Sequence, residues 1–242
     1  MSYLRLRGGP CGNGINCPAI DRREDGGFEV TGARVERPGL PAHEATVLVP
    51  DALLPELTNL EVHDLAGFLS ERHTSDLLRV QTLDRYDVGS DDEDFRRYLD
   101  GAPEPTAAGK DQWLGKLRTD TAAGRAWRNV HVVDGPLNAY LRYQFEWCYT
   151  CNVGAGQDVR VLDLTAHPAA AAVLSVGDFF IVEGREVVRL RYDAGRYLGA
   201  VAVSVDAAQS FAALAEMAWQ LATPFSSWWA AHPQYHRATR AA

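Results

Sequence analysis

"RNVHVVDGPLNAYLRYQFEWCYTCNVGAGQDVRVLD", residues 128–163, carries the pattern on which the fold turns. Val130, Val132 and Val133 supply the apolar content of a strand. Pro136 then stands near the start of the clearest helix in the chain, and Gly154 and Gly156 mark its stop. Leu137, Leu141, Phe145 and Cys148 follow steps of four, four and three, so they share one helical face. The glycines of "NVGAGQD" precede a strand, "QDVRVLDL", rather than a helix, so they read as a connector and not as a phosphate cradle.

Outward from this centre the chain keeps mixing the two periods. On the C-terminal side "DFFIVEG", "EVVRLRYD" and "RYLGAVAVSVD" are strands, and "EG" and "DAG" mark the turns of an antiparallel meander. The Ala-rich "AAQSFAALAEMAWQLA" predicts a helix, and Pro224 introduces a shorter one with Trp228 and Trp229. On the N-terminal side "LEVHDLAGFLSERH" is weakly helical and "LLRVQTLDRY" strand-like, while "DDEDFRRYLDG" and "KDQWLGKLRTDTAAG" predict helices. Further back, "GFEVTGARV" and "HEATVLVP" read as two strands, "PDALLPEL" as a short helix, and residues 1–26 as a turn-rich arm or metal-knuckle loop. The expectation is an α+β protein with a mixed or antiparallel sheet and flanking helices. Residues 60–242 form the main domain, preceded by a small Cys-bearing, β-rich unit over residues 1–59.

Composition narrows the function classes. The 242 residues are 46% hydrophobic, enough for a conventional core, and the formal net charge is −8. A nucleic-acid backbone needs a basic footprint, so direct nucleic-acid binding is not expected. Of the 24 basic residues only Lys110 and Lys116 are lysines, as expected of a GC-rich genome. The start lacks the apolar core of a signal peptide, and no run reaches the roughly 18 apolar residues of a membrane span. A cytoplasmic location with no membrane association follows as the expectation, and stable disulfides are uncommon there.

That leaves four cysteines to interpret. Cys148 and Cys151 lie at the end of the helix, where the dipole opposes a thiolate, so a redox pair is disfavoured. Two pairs on separate segments, Cys11 with Cys17 and Cys148 with Cys151, match the needs of a structural zinc, although five residues within the first pair exceed the usual two to four. Unrelated thiols are the alternative. Among the seven histidines His232 and His236 are four apart, but Pro233 between them argues against a helical ligand pair, and there is no His-Glu-x-x-His, Gly-x-Ser-x-Gly elbow, Walker loop or dinucleotide fingerprint.

Arg79, Asp84, Arg142, Arg160, Asp178 and Arg189 lie in or beside the expected elements. Strand arginines among apolar neighbours usually form a solvated face, and the alternative is a cleft of Arg, Asp and Tyr that binds a small anion. His131 reads as a satisfied core or sheet-edge group, which makes Arg142 the stronger pocket candidate.

"LLRVQTLDRYDV", the stretch quoted first and "DFFIVEGREVVRLRYDAGRYLGA" together resemble an uncharacterised actinobacterial family often encoded near helix-turn-helix regulators. The resemblance covers roughly residues 62 to 231. The N-terminal "NCPAIDRREDGGFEVTGARV" resembles separate small proteins with a Cys-rich start, so the chain would fuse two usually separate partners. Arg79, Asp84, Tyr86, Tyr140, Arg142, Asn152, Gly156, Arg160, Asp178 and Tyr192 occupy the family's motif positions. The strand-rich end also resembles phospholipase-D-like folds, but neither lysine completes their His-x-Lys pair. The resemblance implies regulation by association with neighbours, not an activity.

Two classes follow. One is a regulatory or adaptor protein that binds a protein partner, such as a helix-turn-helix regulator, or a small anionic ligand. The other is an enzyme of specialised metabolism. The candidate residues are Arg79, Asp84, Tyr86, His131, Tyr140, Arg142, Tyr143, Arg160 and Asp178, with Cys11, Cys17, Cys148 and Cys151 as ligands of a structural zinc.

Overall fold

The computed structural model describes residues 3–7, 19–23, 28–31, 33–35, 46–48, 60–87, 89 and 92–237. The chain divides into two compact units, Met1–Asn59 and Leu60–Ala242. In the first, β1 (Tyr3–Arg7), β2 (Ala19–Arg23) and β3 (Phe28–Thr31) form an antiparallel sheet, and β4 (Ala33–Val35) pairs with β5 (Thr46–Leu48). The strands β1 and β2 stand where the sequence reads as a loop-like arm. Five-residue stretches are too short to show a period, and their ladder comes from each other rather than from local propensity. The expected helix at residues 50–57 lies outside the described residues, as do Cys11 and Cys17.

The second unit begins with β6 (Leu60–Val62) and α1 (Leu65–Arg72), whose N-cap Asp64 accepts from Gly67 N at 2.9 Å. Then come β7 (Asp76–Gln81), α2 (Asp92–Leu99), α3 (Ala107–Ala122) and β8 (Ala126–Val133). The central helix runs as α4 (Ala139–Tyr143), a π-helical stretch (Gln144–Tyr149) and α5 (Thr150–Gly154). Asn138 caps it, accepting from Leu141 N at 2.8 Å. Gly156 stops it at φ 105°, and a Cβ there would stand 2.6 Å from Thr121 Oγ1, so only glycine suits the site.

β9 (Asp158–Asp163) follows, then a 3₁₀ stretch (Pro168–Val176) and the meander β10 (Phe179–Val182), β11 (Glu186–Asp193) and β12 (Arg196–Ala202). Its turns are those read as "EG" and "DAG", with Glu183 and Ala194 at positive φ beside Gly184 and Gly195. The chain closes with α6 (Val205–Leu221), the two-residue β13 (Thr223–Pro224) and α7 (Phe225–Ala231).

The eight strands of this unit form one mixed sheet in the order β13-β9-β8-β7-β10-β11-β12-β6. β7, β8 and β9 run parallel, and every other pairing is antiparallel. This is the expected α+β architecture. Parallel neighbours need crossovers, which α2, α3 and the central helix supply. One sheet face packs Leu78, Val80, Val130, Val132, Phe179 and Ile181 beneath α6 and the 3₁₀ stretch. The opposite face meets an aromatic layer of Tyr86, Tyr98, Tyr140, Tyr143, Phe145, Trp147, Tyr149, Phe225 and Trp228. In and around the π stretch, buried Tyr143, Phe145, Trp147 and Tyr149 alternate with half-buried Gln144, Glu146 and Cys148. Residues two apart on a helix point to nearly opposite sides, so this helix is clamped on two flanks. Its third side, with Gln144, Cys148 and Asn152 at steps of four, faces a cavity.

Candidate functional site

The alternation of β7 and β8 builds the floor of that cavity. Leu77, Arg79 and Gln81 share one face of β7, and Trp127, Asn129 and His131 share the same face of β8 through the parallel register. The walls come from α1, from α3 with Lys110, Trp113 and Lys116, and from the central helix with Gln144, Cys148 and Asn152. The cavity measures about 710 Å³, within the range of small-molecule sites. Among the described residues no carboxylate side chain lines it.

Four cations do. Arg79, Lys110, Lys116 and Arg125 line the walls, while Arg128 borders the cavity with its guanidinium turned to Asp76 and to the Trp219 ring on the opposite face. Both lysines of the chain are therefore in this site. Carboxylates hold the cations from behind. Asp120, 2% exposed, accepts from Lys116 Nζ at 3.0 Å and from Trp127 Nε1 at 2.8 Å, and it pairs with Arg125. Burial alone would raise the Asp120 carboxyl, but the hydrogen bonds from Arg125, Lys116 and Trp127 outweigh it and bring it down to about 2. Asp94 lies 4.0 Å from Lys110, and Asp178 lies 3.8 Å from Arg79. The cationic heads therefore line the cavity while the carboxylates that balance them stand behind its walls.

Behind Arg79, Asp178 organises a buried cluster. Its carboxylate accepts from Thr82 N at 2.7 Å, from Thr82 Oγ1 at 2.9 Å and from the Tyr86 hydroxyl at 2.6 Å. Burial first, and the Asp178 charge second, push the Tyr86 hydroxyl well above its ordinary range, so it stays a donor. Arg79 stands 5.6 Å from the centre of the Tyr86 ring and 5.4 Å from that of Phe180. Burial works against its charge, but Tyr86, Tyr192 and Asp178 together hold the Arg79 guanidinium above its usual value. His131 is fully buried, with Nδ1 2.6 Å from the Tyr149 hydroxyl, which donates to Gln81 Oε1 at 2.9 Å. Burial, reinforced by Arg79, lowers His131 to about 3, so the imidazole is neutral.

Several polar atoms in this wall are incompletely satisfied, although the Tyr149 hydroxyl interacts with the Asn129 side chain and Tyr192 with Arg79. Arg79 Nε, both amide atoms of Asn129 and Gln144 Oε1 are buried and lack a hydrogen-bond partner of normal geometry among the described residues. Asn129 is 1% exposed. A buried polar group without a partner costs about 1–3 kcal/mol, so these atoms would gain from any donor or acceptor that enters the cavity.

The structure gathers Arg79, Tyr86, His131 and Asp178, with Tyr140 6.4 Å from Tyr86 ring to ring. It disperses the others. Tyr143 is buried among Phe95, Tyr98 and Trp147, with Lys110 above its ring at 5.5 Å. Arg142 donates from Nε to Asn138 O at 3.2 Å and is not on the cavity wall. Asp84 is exposed and takes part through its carbonyl, which accepts from Asn138 Nδ2. Arg160 lies on the other sheet face, 3.9 Å from the Trp219 ring. Lys110, Trp113, Lys116, Arg125, Asn129 and Gln144 were not among the sequence candidates. The concentration of both lysines on one expected helix, with Trp113 between them, was the signal available for the first three.

Cys148 and Cys151 are thiols on the central helix: Cys148 on the cavity wall, Cys151 against Leu114, Leu117 and Ala155. Among the described residues no group of three or more His, Cys, Asp or Glu is placed to hold a metal. Cys11 and Cys17, the other half of the expected zinc site, lie outside those residues.

Fold and cavity together define a mixed-sheet α+β domain with a cation-lined, small-molecule-sized site. The chain belongs to the DUF6879 family, described as a domain of unknown function, whose pattern matches residues 64–230 and so takes in the whole cavity. A comparison with curated proteins finds no match. Among the described residues no helix is long and apolar enough to cross a membrane.

Proposed function

We propose that the main domain binds a small organic anion in this cavity and serves as a cytosolic regulatory or adaptor module whose output depends on that ligand. One observation carries the reading. Arg79 Nε, the Asn129 amide and Gln144 Oε1 lack partners on the wall of a cavity with four cations and, among the described residues, no lining carboxylate. A guanidinium answers a carboxylate or phosphate, an amide offers both a donor and an acceptor, and Trp113 and Trp127 supply apolar surface for the ligand's body. The resemblance to proteins encoded near helix-turn-helix regulators supports a regulatory output.

The test is calorimetric titration of the chain with nucleoside monophosphates and aromatic carboxylates beside their uncharged counterparts, nucleosides and carboxamides. Saturable binding of an anion and not of its neutral counterpart is expected. Asn129→Leu and Arg79→Met should each weaken it about tenfold or more, the equivalent of one lost hydrogen bond to a charged group. Neutral counterparts binding as well as the anions, or an unchanged affinity in Asn129→Leu, overturns the reading.

A further inference from the structure

Lys110 Nζ stands 3.1 Å from Cys148 Sγ, and both side chains face the cavity. We propose that Cys148 is a modification site: a thiolate held by Lys110 that reacts with electrophiles bearing a carboxylate. The charge selectivity rests on the cation-lined cavity of the proposed function; the reactivity of the sulfur rests on the lysine.

An ammonium has three donors and no acceptor, so in this contact the sulfur is the acceptor, and the charged form of the sulfur gains most from it. Lys110 is fixed in that role. It also donates to Trp147 O at 3.4 Å, and Asp94 lies 4.0 Å away. Asp94 is itself held, accepting from Thr106 N and Thr106 Oγ1 at 2.9 Å each. Lys110 is only 16% exposed, which limits the screening of its charge by water. Cys151, one turn on, packs into an apolar cluster and among the described residues no cation is hydrogen-bonded to its sulfur, so it serves as an internal reference.

The second, independent pointer is Asn129, 1% exposed on the same cavity, whose two amide atoms lack partners of normal geometry even with the Tyr149 hydroxyl beside them. A carboxylate drawn to Arg79 or to Lys116 and Arg125 would bring the carbon it carries into the cavity that Cys148 lines. With iodoacetate the step is a displacement. The thiol proton has already passed to solvent, the sulfur lone pair forms a C–S bond, the C–I bond breaks, and iodide leaves with the electron pair.

The intact chain is treated with iodoacetate and, separately, iodoacetamide, and alkylation of Cys148 and Cys151 is followed by peptide mass spectrometry. Cys148 should react about tenfold or more faster than Cys151, the scale on which a neighbouring cation raises thiolate character. At Cys148 the anionic reagent should outpace the neutral one. Lys110→Met should remove most of the advantage, with thermal melting confirming the fold, and Lys110→Arg should retain it. Cys148 reacting no faster than Cys151, equal rates with the two reagents, no response to Lys110→Met, or protection relieved only by a zinc chelator would each overturn the proposal. Lysine-dependent reactivity in a chain whose anion binding ignores Asn129→Leu would leave the thiolate standing and defeat only the ligand reading.

Discussion

Asn129 shows how one residue can favour function over stability. It occupies a central strand, is 1% exposed, and neither of its amide atoms has a well-formed partner among the described residues. Leucine there would remove two unanswered polar groups and add apolar volume into existing space, so Asn129→Leu should stabilise the domain. The expected gain is about 1–2 kcal/mol, or a few degrees in melting temperature for a chain of this size. Urea and thermal unfolding measure it, and a destabilised Asn129→Leu would show that the amide is satisfied within the protein. Nothing in the sequence marks Asn129, because an asparagine in a strand looks the same whether it faces water or a cavity. Arg79 illustrates the same limit: its alternation fits a solvated face, and only the helix laid over the sheet turns that face inward.

At the scale of elements, β8 and the central helix are joined by His131 and Tyr149, 2.6 Å apart. The end of this helix was legible from the paired glycines, whereas its start lies at the Asn138 cap rather than at Pro136. Cys148 faces the cavity, while Leu141 and Phe145 are buried in the aromatic layer. The π stretch was not legible, since one wider turn leaves no compositional mark. The joint makes stability depend on pH in a stated direction. His131 is lowered to about 3 in the folded protein, against an ordinary value of 6.5. The unfolded chain therefore takes up this proton as pH falls below 6.5 while the folded chain does not, so stability is full above that value and lost toward 3. The slope approaches about 1.4 kcal/mol per pH unit, or roughly 2 kcal/mol between pH 6.5 and 5. Asp120 and Glu183 are both depressed to about 2, so their contributions persist until the pH nears 4 and leave this window to histidines. His73, also lowered by burial, acts in the same sense. Urea midpoints at pH 7 and 5 should fall in the wild type and fall less in His131→Gln. Equal losses in the two proteins would mean that His131 titrates normally.

For the whole molecule, the meander and the α+β class could be read from turn residues and periodicity, whereas the strand order could not. It places β10 beside β7 and β6 at the far edge through pairings 99 to 142 residues apart, which no local pattern encodes. That order makes a prediction about where the domain begins. The family match starts at residue 64, but β6 starts at Leu60 and pairs with β12 through Val62 and Ala200, Glu61 and Val201, and Leu60 and Ala202. Val62 is 8% exposed and packs in a cluster with Leu190 and Ala200. A fragment of residues 60–242 retains every cavity residue and the complete sheet, and should fold cooperatively with a melting temperature close to that of the full chain. A fragment of residues 64–242 loses the edge strand. It bares the ladder groups of β12, whose Tyr197 and Leu198 are already 43% and 53% exposed, and an uncovered edge with such side chains templates further pairing. Loss of Val62 alone should cost about 1.5–3 kcal/mol of burial. The shorter fragment should therefore melt several degrees lower and elute partly as aggregates in size-exclusion chromatography, while the longer one elutes as a single species. If both behave alike, β6 contributes nothing to the sheet, and the domain begins where the family match does.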